Sequence, residues 1–153
     1  MIKKYYGYYN SPIGILEIIA SDDAIISAMF IEEFKESTGE PEIIKKAIKQ
    51  FDEYFKGTRK DFQIEYEVRV TEFQGKVWRA LVEIPYGATL SYKELANKIG
   101  NEKASRAVGK ANSKNIISII IPCHRVIGSD KSLTGYAGGL DRKQWLLEHE
   151  SKN

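Results

Sequence analysis

The chain has 153 residues, 29% charged and 42% hydrophobic, with a formal net charge of +2. It is the size of one ordinary domain or two small ones, and too apolar and too nearly neutral for a disordered chain. No apolar run reaches the roughly 18 residues of a membrane span, and Met1-Ile2-Lys3-Lys4-Tyr5-Tyr6 has the charge of a signal peptide without its apolar stretch, so a soluble, intracellular globular protein is expected.

Cys123 is the single cysteine. An intramolecular disulfide and a thiolate-rich metal site are therefore excluded, and a reducing compartment fits. The two histidines, His124 and His149, are too few for a zinc centre, so neither metal nor cofactor is expected. Charge is uneven: residues 1–69 carry ten Lys/Arg against thirteen Asp/Glu, and residues 70–153 thirteen against eight. A basic C-terminal half suggests a polyanionic partner, although solvated surfaces often carry such an excess.

The first third reads as strands. Lys3–Tyr9, Ile15–Ala20 and Ile25–Ile31 are separated by the turns Ser11-Pro12-Ile13-Gly14 and Ser21-Asp22-Asp23, which predicts an antiparallel meander. Ile44, Ala47, Ile48, Phe51 and Phe55 then recur at helical spacing, with Gly57 as a stop. Residues 58–70 are polar, and the subdomain boundary is placed there.

The second half reads as helices. Thr71-Glu72-Phe73-Gln74 has the form of a capping box, followed by a stripe of Phe73, Val77, Leu81 and Ile84 up to Pro85-Tyr86-Gly87. Ser91-Tyr92-Lys93-Glu94 is a second capping box, and Gly100 ends its helix. Asn101 can cap a third helix through about Asn112. The pair is either a helix-turn-helix or an ordinary helical hairpin, and spacing does not separate the two.

The third helix is rich in small residues: Ala104, Ser105, Ala107, Gly109 and Ala111. Arg106, Lys110 and Lys114 follow at four-residue spacing on one side. Gly109 inside a helix costs about 1 kcal/mol against Ala, which close approach to another backbone would offset. Tight helix packing explains such a stripe; so does a helix laid against phosphates and a groove.

Ile116-Ile117-Ser118-Ile119-Ile120-Ile121 predicts a buried strand-like segment, broken by Pro122. Cys123, His124 and Arg125 follow at once. Neighbouring cations lower a thiol's pKa and would suit a nucleophile. A lone cysteine is also commonly a small buried hydrophobe. Further on, Gly135-Tyr136-Ala137-Gly138-Gly139 suggests either a loop that closes over something flat or a flexible surface loop. Leu140–Glu150 predicts a last helix with Trp145 and Leu146 in the core. Glu150 near its C-terminal end is a poor partner for the helix dipole; a solvated carboxylate is the commoner reading, a specific cationic neighbour the other.

Taken together, Ile121-Pro122-Cys123-His124-Arg125-Val126 resembles the active-site signature of the O6-alkylguanine-DNA alkyltransferases. The likeness extends through Ser91-Tyr92, Ser105-Arg106-Ala107-Val108-Gly109, Asn115, Gly135-Tyr136-Ala137-Gly138-Gly139-Leu140 and Trp145-Leu146-Leu147-Glu148-His149-Glu150. It runs in family order from about residue 71 to 150, whereas residues 1–69 match in general character only.

The resemblance implies an α+β chain: a ribonuclease H-like antiparallel sheet with a helix over residues 1–69, then a helical, winged-helix-like subdomain with a helix-turn-helix over residues 70–153. It implies a single-turnover methyltransferase that repairs DNA directly. Cys123 would take the alkyl group from O6-alkylguanine in double-stranded DNA, with O4-alkylthymine as a further substrate, after base flipping. His124, through a water and oriented by Glu150, would activate the thiol, and Asn115 would support that network. Tyr92 would donate toward the leaving base. Arg106 would fill the gap in the stack, on a DNA-binding helix with Ala104, Ser105, Ala107, Gly109, Lys110 and Lys114. Val126, Tyr136, Ala137, Gly138 and Ser118 would line the base pocket. Ala137 stands where some members carry Ser, removing one hydrogen bond to O6, and Ser118 stands where some carry Pro. Alkyltransferase-like binding proteins replace the cysteine, so Cys123 argues against a purely binding role; a thiol hydrolase would need an oxyanion-hole motif. A cytoplasmic, prokaryotic monomer, nucleoid-associated when on DNA, is expected.

Overall fold

Apolar residues crowd positions 15–20 and 25–31, with turn residues between them, and this pattern folds as a meander. In the computed structural model, which describes residues 3–35 and 38–153, β1 (Tyr5–Ser11), β2 (Gly14–Ala20) and β3 (Ile25–Ile31) pair antiparallel in that order. Met1 and Ile2, the start of the charged N-terminal stretch, lie outside the described residues. One helix, α1 (Glu42–Phe55), packs on the sheet, burying Ile44, Ala47, Phe51 and Phe55 with Leu16, Ile18 and Ile25. Gly7 permits that closeness, since a Cβ there would collide with Ile44. The polar stretch that follows returns to β3 once: Ile25 N donates to Glu65 O and Glu67 N to Ile25 O, each at 2.9 Å.

The chain divides into two compact units, Met1–Val68 and Arg69–Asn153. The second opens with a capping box. Thr71 Oγ1 accepts from Gln74 N at 3.1 Å, and Gln74 Oε1 accepts from Thr71 N at 3.2 Å. The helix it starts, α2 (Glu72–Val82), buries Val77, Trp78, Ala80 and Leu81. The predicted stripe needs correction at both ends. Phe73 is half-buried, and Ile84, although buried, lies beyond the last helical residue.

The second capping box, Ser91 with Glu94, starts α3 (Tyr92–Lys98). The next helix, α4, spans Ser105–Ser113 rather than starting after Asn101. Asn101 O instead accepts from Ala104 N at 3.0 Å, closing a turn that joins α3 to α4. Lys114 falls at the C-cap of α4, not within it. The helices α2, α3 and α4 pack on one another, and Trp78 Nε1 donates to Ala111 O at 3.4 Å. This half is not purely helical: β4 (Leu90–Ser91) and β5 (Val126–Ile127) form a short parallel pair.

The isoleucine run is not a strand. Ile117, Ile119 and Ile121 are buried as expected, but Ile116 is exposed. The segment folds back on itself, with Ile120 N donating to Ser118 O at 2.8 Å and Ile121 N to Ile117 O at 3.1 Å. Ile119 sits at φ +72. A β-branched residue pays about 1–3 kcal/mol for that conformation, so strong packing must hold the turn. The final helix, α5 (Leu140–Lys152), lies against Cys123–Arg125, just after the isoleucine run. Among the described residues no helix is long and apolar enough to cross a membrane.

Candidate active site

Pro122 cannot continue a ladder, and the chain after it coils into a single 3-10 turn, Cys123–Arg125, whose three side chains are all buried. Asn115 pins the approach to that turn. Its Oδ1 accepts from Ile117 N at 3.0 Å, and its Nδ2 faces Ile121 O at 2.8 Å, Cys123 Sγ at 3.1 Å and Ile117 O at 3.2 Å. Two N–H bonds shared among three acceptors hold the sulfur in a fixed place. Asn112 Nδ2 reaches Cys123 O at 3.2 Å.

Nearby cations do not pre-ionise the thiol. Burial pushes the Cys123 pKa up to about 11, against the smaller opposing effects of Asn115 and Lys143. Arg125 is not free to lower it, because its guanidinium is spent elsewhere. Nε donates to Glu150 Oε1 at 2.8 Å, Nη2 to Glu150 Oε2 at 3.0 Å and Nη1 to Ile84 O at 2.7 Å. The resting group is a thiol that needs a base.

His124 is adjacent and fully buried. Its Nε2 lies 2.7 Å from Glu150 Oε2, while its buried Nδ1 has no hydrogen-bond partner among the described residues. Burial lowers the His124 pKa, partly countered by Glu150, so the ring is neutral near pH 7. Nε2 then carries the proton given to Glu150, and Nδ1 offers a lone pair. Glu150 is not solvated: it is buried at 3% exposure. Burial pushes its pKa up, but hydrogen bonds and charge from His124 and Arg125 outweigh this and hold it well below the usual carboxylate range.

The structure therefore pairs Cys123 with Asn115 and, one residue on in the same turn, His124 with Glu150. Tyr92 belongs to an adjoining network. Its hydroxyl donates to Thr134 O at 3.0 Å and accepts from Thr134 Oγ1 at 3.2 Å. Among the pocket residues, Ser118, Val126 and Tyr136 are buried, Gly138 is half-buried and Ala137 is exposed. On α4, Arg106, Ala107 and Lys110 are exposed, as is Lys114 just beyond it; Ala104, Ser105 and Gly109 are half-buried. Gly109 makes no close backbone approach; a Cβ there would touch the Tyr92 ring at 3.5 Å. Trp145, expected in the core, is half-buried and stacks on His149, whereas Leu146 is buried.

Residues 72–152 match the family model described as the DNA binding domain of 6-O-methylguanine DNA methyltransferase, and residues 4–68 match its ribonuclease-like domain. The chain belongs to the 6-O-methylguanine DNA methyltransferase family. It is 45% identical to a methylated-DNA–protein-cysteine methyltransferase of Mycolicibacterium paratuberculosis, over 97% of this chain and 93% of that one. A namesake from Methanosarcina acetivorans is 46% identical over 95% and 97%. Among solved structures, the O6-methylguanine methyltransferase of Mycobacterium tuberculosis superposes with a TM-score of 0.90 at 42% identity, covering 98% of this chain and 94% of that one. The OGT of that organism in complex with DNA gives 0.88 at 44% identity, covering 96% and 92%.

Within this family member, two buried cations escaped the sequence reading. Arg125 was visible only as a neighbour of the thiol, yet it ties Glu150 to Ile84 in the turn just after α2. Lys143 is fully buried within α5, and its Nζ donates to Thr134 O at 2.6 Å. The signal was available in part: Lys143, Leu146 and Glu150 fall at three- and four-residue spacing, so the polar ends share a face with the core leucine.

Proposed function

We propose that this chain repairs DNA by taking the alkyl group of O6-alkylguanine, and of O4-alkylthymine, onto Cys123 in a reaction that each molecule performs once. The observation that carries the reading is the buried sequence of contacts Asn115–Cys123 and His124–Glu150 around the only thiol. A thiol at about pKa 11 is ionised in only about one molecule in ten thousand at pH 7, so transfer depends on a base. Through a water, His124 Nδ1 takes the thiol proton; Glu150, ionised at neutral pH, stabilises the imidazolium. The Sγ–alkyl bond forms as the alkyl–O6 bond breaks, and the electron pair stays on guanine. Tyr92 donates the proton that neutralises the base. The thioether has no second thiol to resolve it, so the protein is consumed.

The substrate base lies inside a stack and must be extruded, at a cost of a few kcal/mol. Arg106, exposed on α4, fills the gap, while small residues of α4 admit the helix to a groove and Lys110 and Lys114 meet phosphates. Ser118, Val126, Tyr136, Ala137 and Gly138 line the pocket that receives the base. In this reading residues 70–153 carry DNA binding and alkyl acceptance and residues 1–69 form the α/β subdomain. The protein acts as a cytoplasmic monomer that associates with the nucleoid when on DNA.

The test is a transfer assay with a duplex oligonucleotide carrying O6-methylguanine, with the adduct mapped by mass spectrometry. One equivalent of methyl on Cys123, and none in Cys123→Ala, is expected. Repeated turnover, or a methyl group elsewhere, contradicts the reading.

A further inference from the structure

Glu150 orients His124 from an unpromising place. It lies in the last turn of α5, whose final residue is Lys152. Helix ends fray there, and the helix dipole disfavours a carboxylate. An imidazole held by such a group alone would not keep one orientation. Glu150 is anchored by Arg125, whose Nε and Nη2 donate to its two oxygens at 2.8 Å and 3.0 Å. Arg125 needs an anchor in its turn.

One short turn, Ile84–Gly87 just after α2, meets both members of the pair. Ile84 O accepts from Arg125 Nη1 at 2.7 Å, and the Arg125 guanidinium carbon stands over the Tyr86 ring, 5.7 Å from its centre. Gly87 N donates to Glu150 Oε1 at 3.4 Å. Gly87 sits at φ +82, and a Cβ there would lie 3.4 Å from the Glu150 carbonyl oxygen, so glycine serves both the backbone shape and the approach. We propose that Tyr86 is a positioning residue for the transfer: its ring covers the face of the Arg125 guanidinium and holds it on Glu150, so that Glu150 fixes which nitrogen of His124 carries the proton. The inference rests on the alkyl-transfer reading above, with His124 as the base.

An aromatic face suits that task. Cation–π attraction acts within about 6 Å and strengthens away from water, and Arg125 is buried. Its hydrogen bonds to Glu150 and Ile84 use the edges of the guanidinium plane and do little to stop it tipping; a ring against its face does. Tipping would matter because His124 Nε2 and Arg125 Nη2 share Glu150 Oε2, at 2.7 Å and 3.0 Å. A displaced Arg125 would draw that oxygen away from His124. Without a fixed acceptor at Nε2 the neutral ring divides between two tautomers, and the one protonated at Nδ1 has no lone pair there for the thiol proton. No proton or electron passes through Tyr86 itself.

The experiment is single-turnover transfer from free O6-benzylguanine, which needs no base extrusion, for the wild type, Tyr86→Leu and Tyr86→Phe. Tyr86→Leu is expected to slow transfer about tenfold, below the full worth of a general base because His124 is still present. Tyr86→Phe keeps the ring and should stay within about twofold of the wild type. An unchanged rate in Tyr86→Leu, or equal slowing in both variants, overturns the proposal. Fluorinated phenylalanines at position 86 decide the matter where Tyr86→Leu does not fold. They keep the shape of the ring while draining negative charge from its face, so the rate should fall stepwise with each fluorine, by about fivefold at three. A level series overturns the proposal.

A spectroscopic readout separates positioning from mere packing. The chain has two histidines, so nitrogen-15 spectra of histidine-labelled protein carry two imidazole patterns, and His149→Gln assigns them. His124 is expected as the single tautomer protonated at Nε2 in the wild type and in Tyr86→Phe, and as a mixture in Tyr86→Leu and in the trifluorinated form. One unchanged tautomer in all of them overturns the proposal. This measurement needs no alkylation. A wild type that never alkylates Cys123 therefore fails the transfer reading, while the tautomers still judge whether Tyr86 sets His124.

Discussion

The interiors of the two units are built on opposite terms. Among the described residues of Met1–Val68 the buried side chains are almost all apolar, with Leu16, Ile18, Ile25, Ile44, Phe51 and Tyr54 fully buried and Gln50 and Glu17 as the polar members. In Arg69–Asn153 the interior also encloses Asn112, Asn115, Ser118, His124, Arg125, Lys143 and Glu150. An apolar interior stabilises by burial alone, at about 25 cal/mol per Å². A buried ionic cluster gives back in desolvation much of what it gains in attraction. The first unit is therefore organised for folding, and the second carries a buried polar cluster that folding alone does not explain.

The sharpest way to break that comparison is to damage each interior by a similar amount. Phe51→Ala removes a fully buried ring from the first unit and should cost about 3–5 kcal/mol in denaturant unfolding. Arg125→Met leaves Glu150 buried without its guanidinium and should also cost about 3–5 kcal/mol. Their effects on chemistry should separate. Alkyl transfer per folded molecule is expected to be unchanged in Phe51→Ala and strongly slowed in Arg125→Met. Equal transfer rates would mean that the cluster is structural after all.

Acid should distinguish the units next. The folded state holds His124 below its ordinary 6.5 and Glu150 below its ordinary 4.5. In both cases the unfolded chain takes up protons first, so stability rises with pH and is lost as pH falls. The loss should begin below about 6.5 through His124 and steepen below about 4.5 through Glu150. Each group contributes up to about 1.4 kcal/mol per pH unit. Urea midpoints measured from neutral pH downward should show both stages, and Glu150→Gln should remove the second. Midpoints that stay level through this range would show that the cluster does not govern acid stability.

The sequence made the first unit legible because its physics is local. Alternating apolar residues, a Ser-Pro-Ile-Gly turn and a helical stripe each act over a few residues, and the meander and α1 follow from them. The site was legible in a different way. The signature around Cys123 resembled a family closely enough to nominate His124, Glu150 and Asn115, but local rules favoured a solvated Glu150 over one with a cationic neighbour and read the isoleucine run as a strand. Both failed for one reason: the partners are distant in the chain. Arg125 meets Glu150 across 25 residues, Tyr92 meets Thr134 across 42, and the left-handed turn at Ile119 is imposed by packing rather than by preference. Lys143 was missed because a lysine among polar helix residues looks solvated until the fold closes over it.

A smaller effect should separate the surface of α4 from the interior. Arg106 is exposed and takes no part in the buried cluster. Arg106→Ala is expected to leave transfer from free O6-benzylguanine within about twofold of the wild type while slowing repair of a duplex about tenfold or more, since only the duplex demands extrusion at a cost of a few kcal/mol. Equal slowing of both substrates would place Arg106 in the chemistry rather than in opening the stack.

The smallest effect concerns Gly109, in the middle of α4. A Cβ there would lie 3.5 Å from Cδ1 and Cε1 of Tyr92, an ordinary van der Waals contact. Folding alone therefore gives no reason for glycine, and Gly109→Ala should raise stability by about 0.5–1 kcal/mol through helix propensity. If α4 is shaped for a groove, the same methyl should weaken duplex binding while the protein becomes harder to unfold. Opposite signs in the two measurements would identify Gly109 as a residue kept for its partner. A gain in stability with unchanged duplex affinity would take the small-residue stripe out of the binding surface and leave Arg106, Lys110 and Lys114 to carry it.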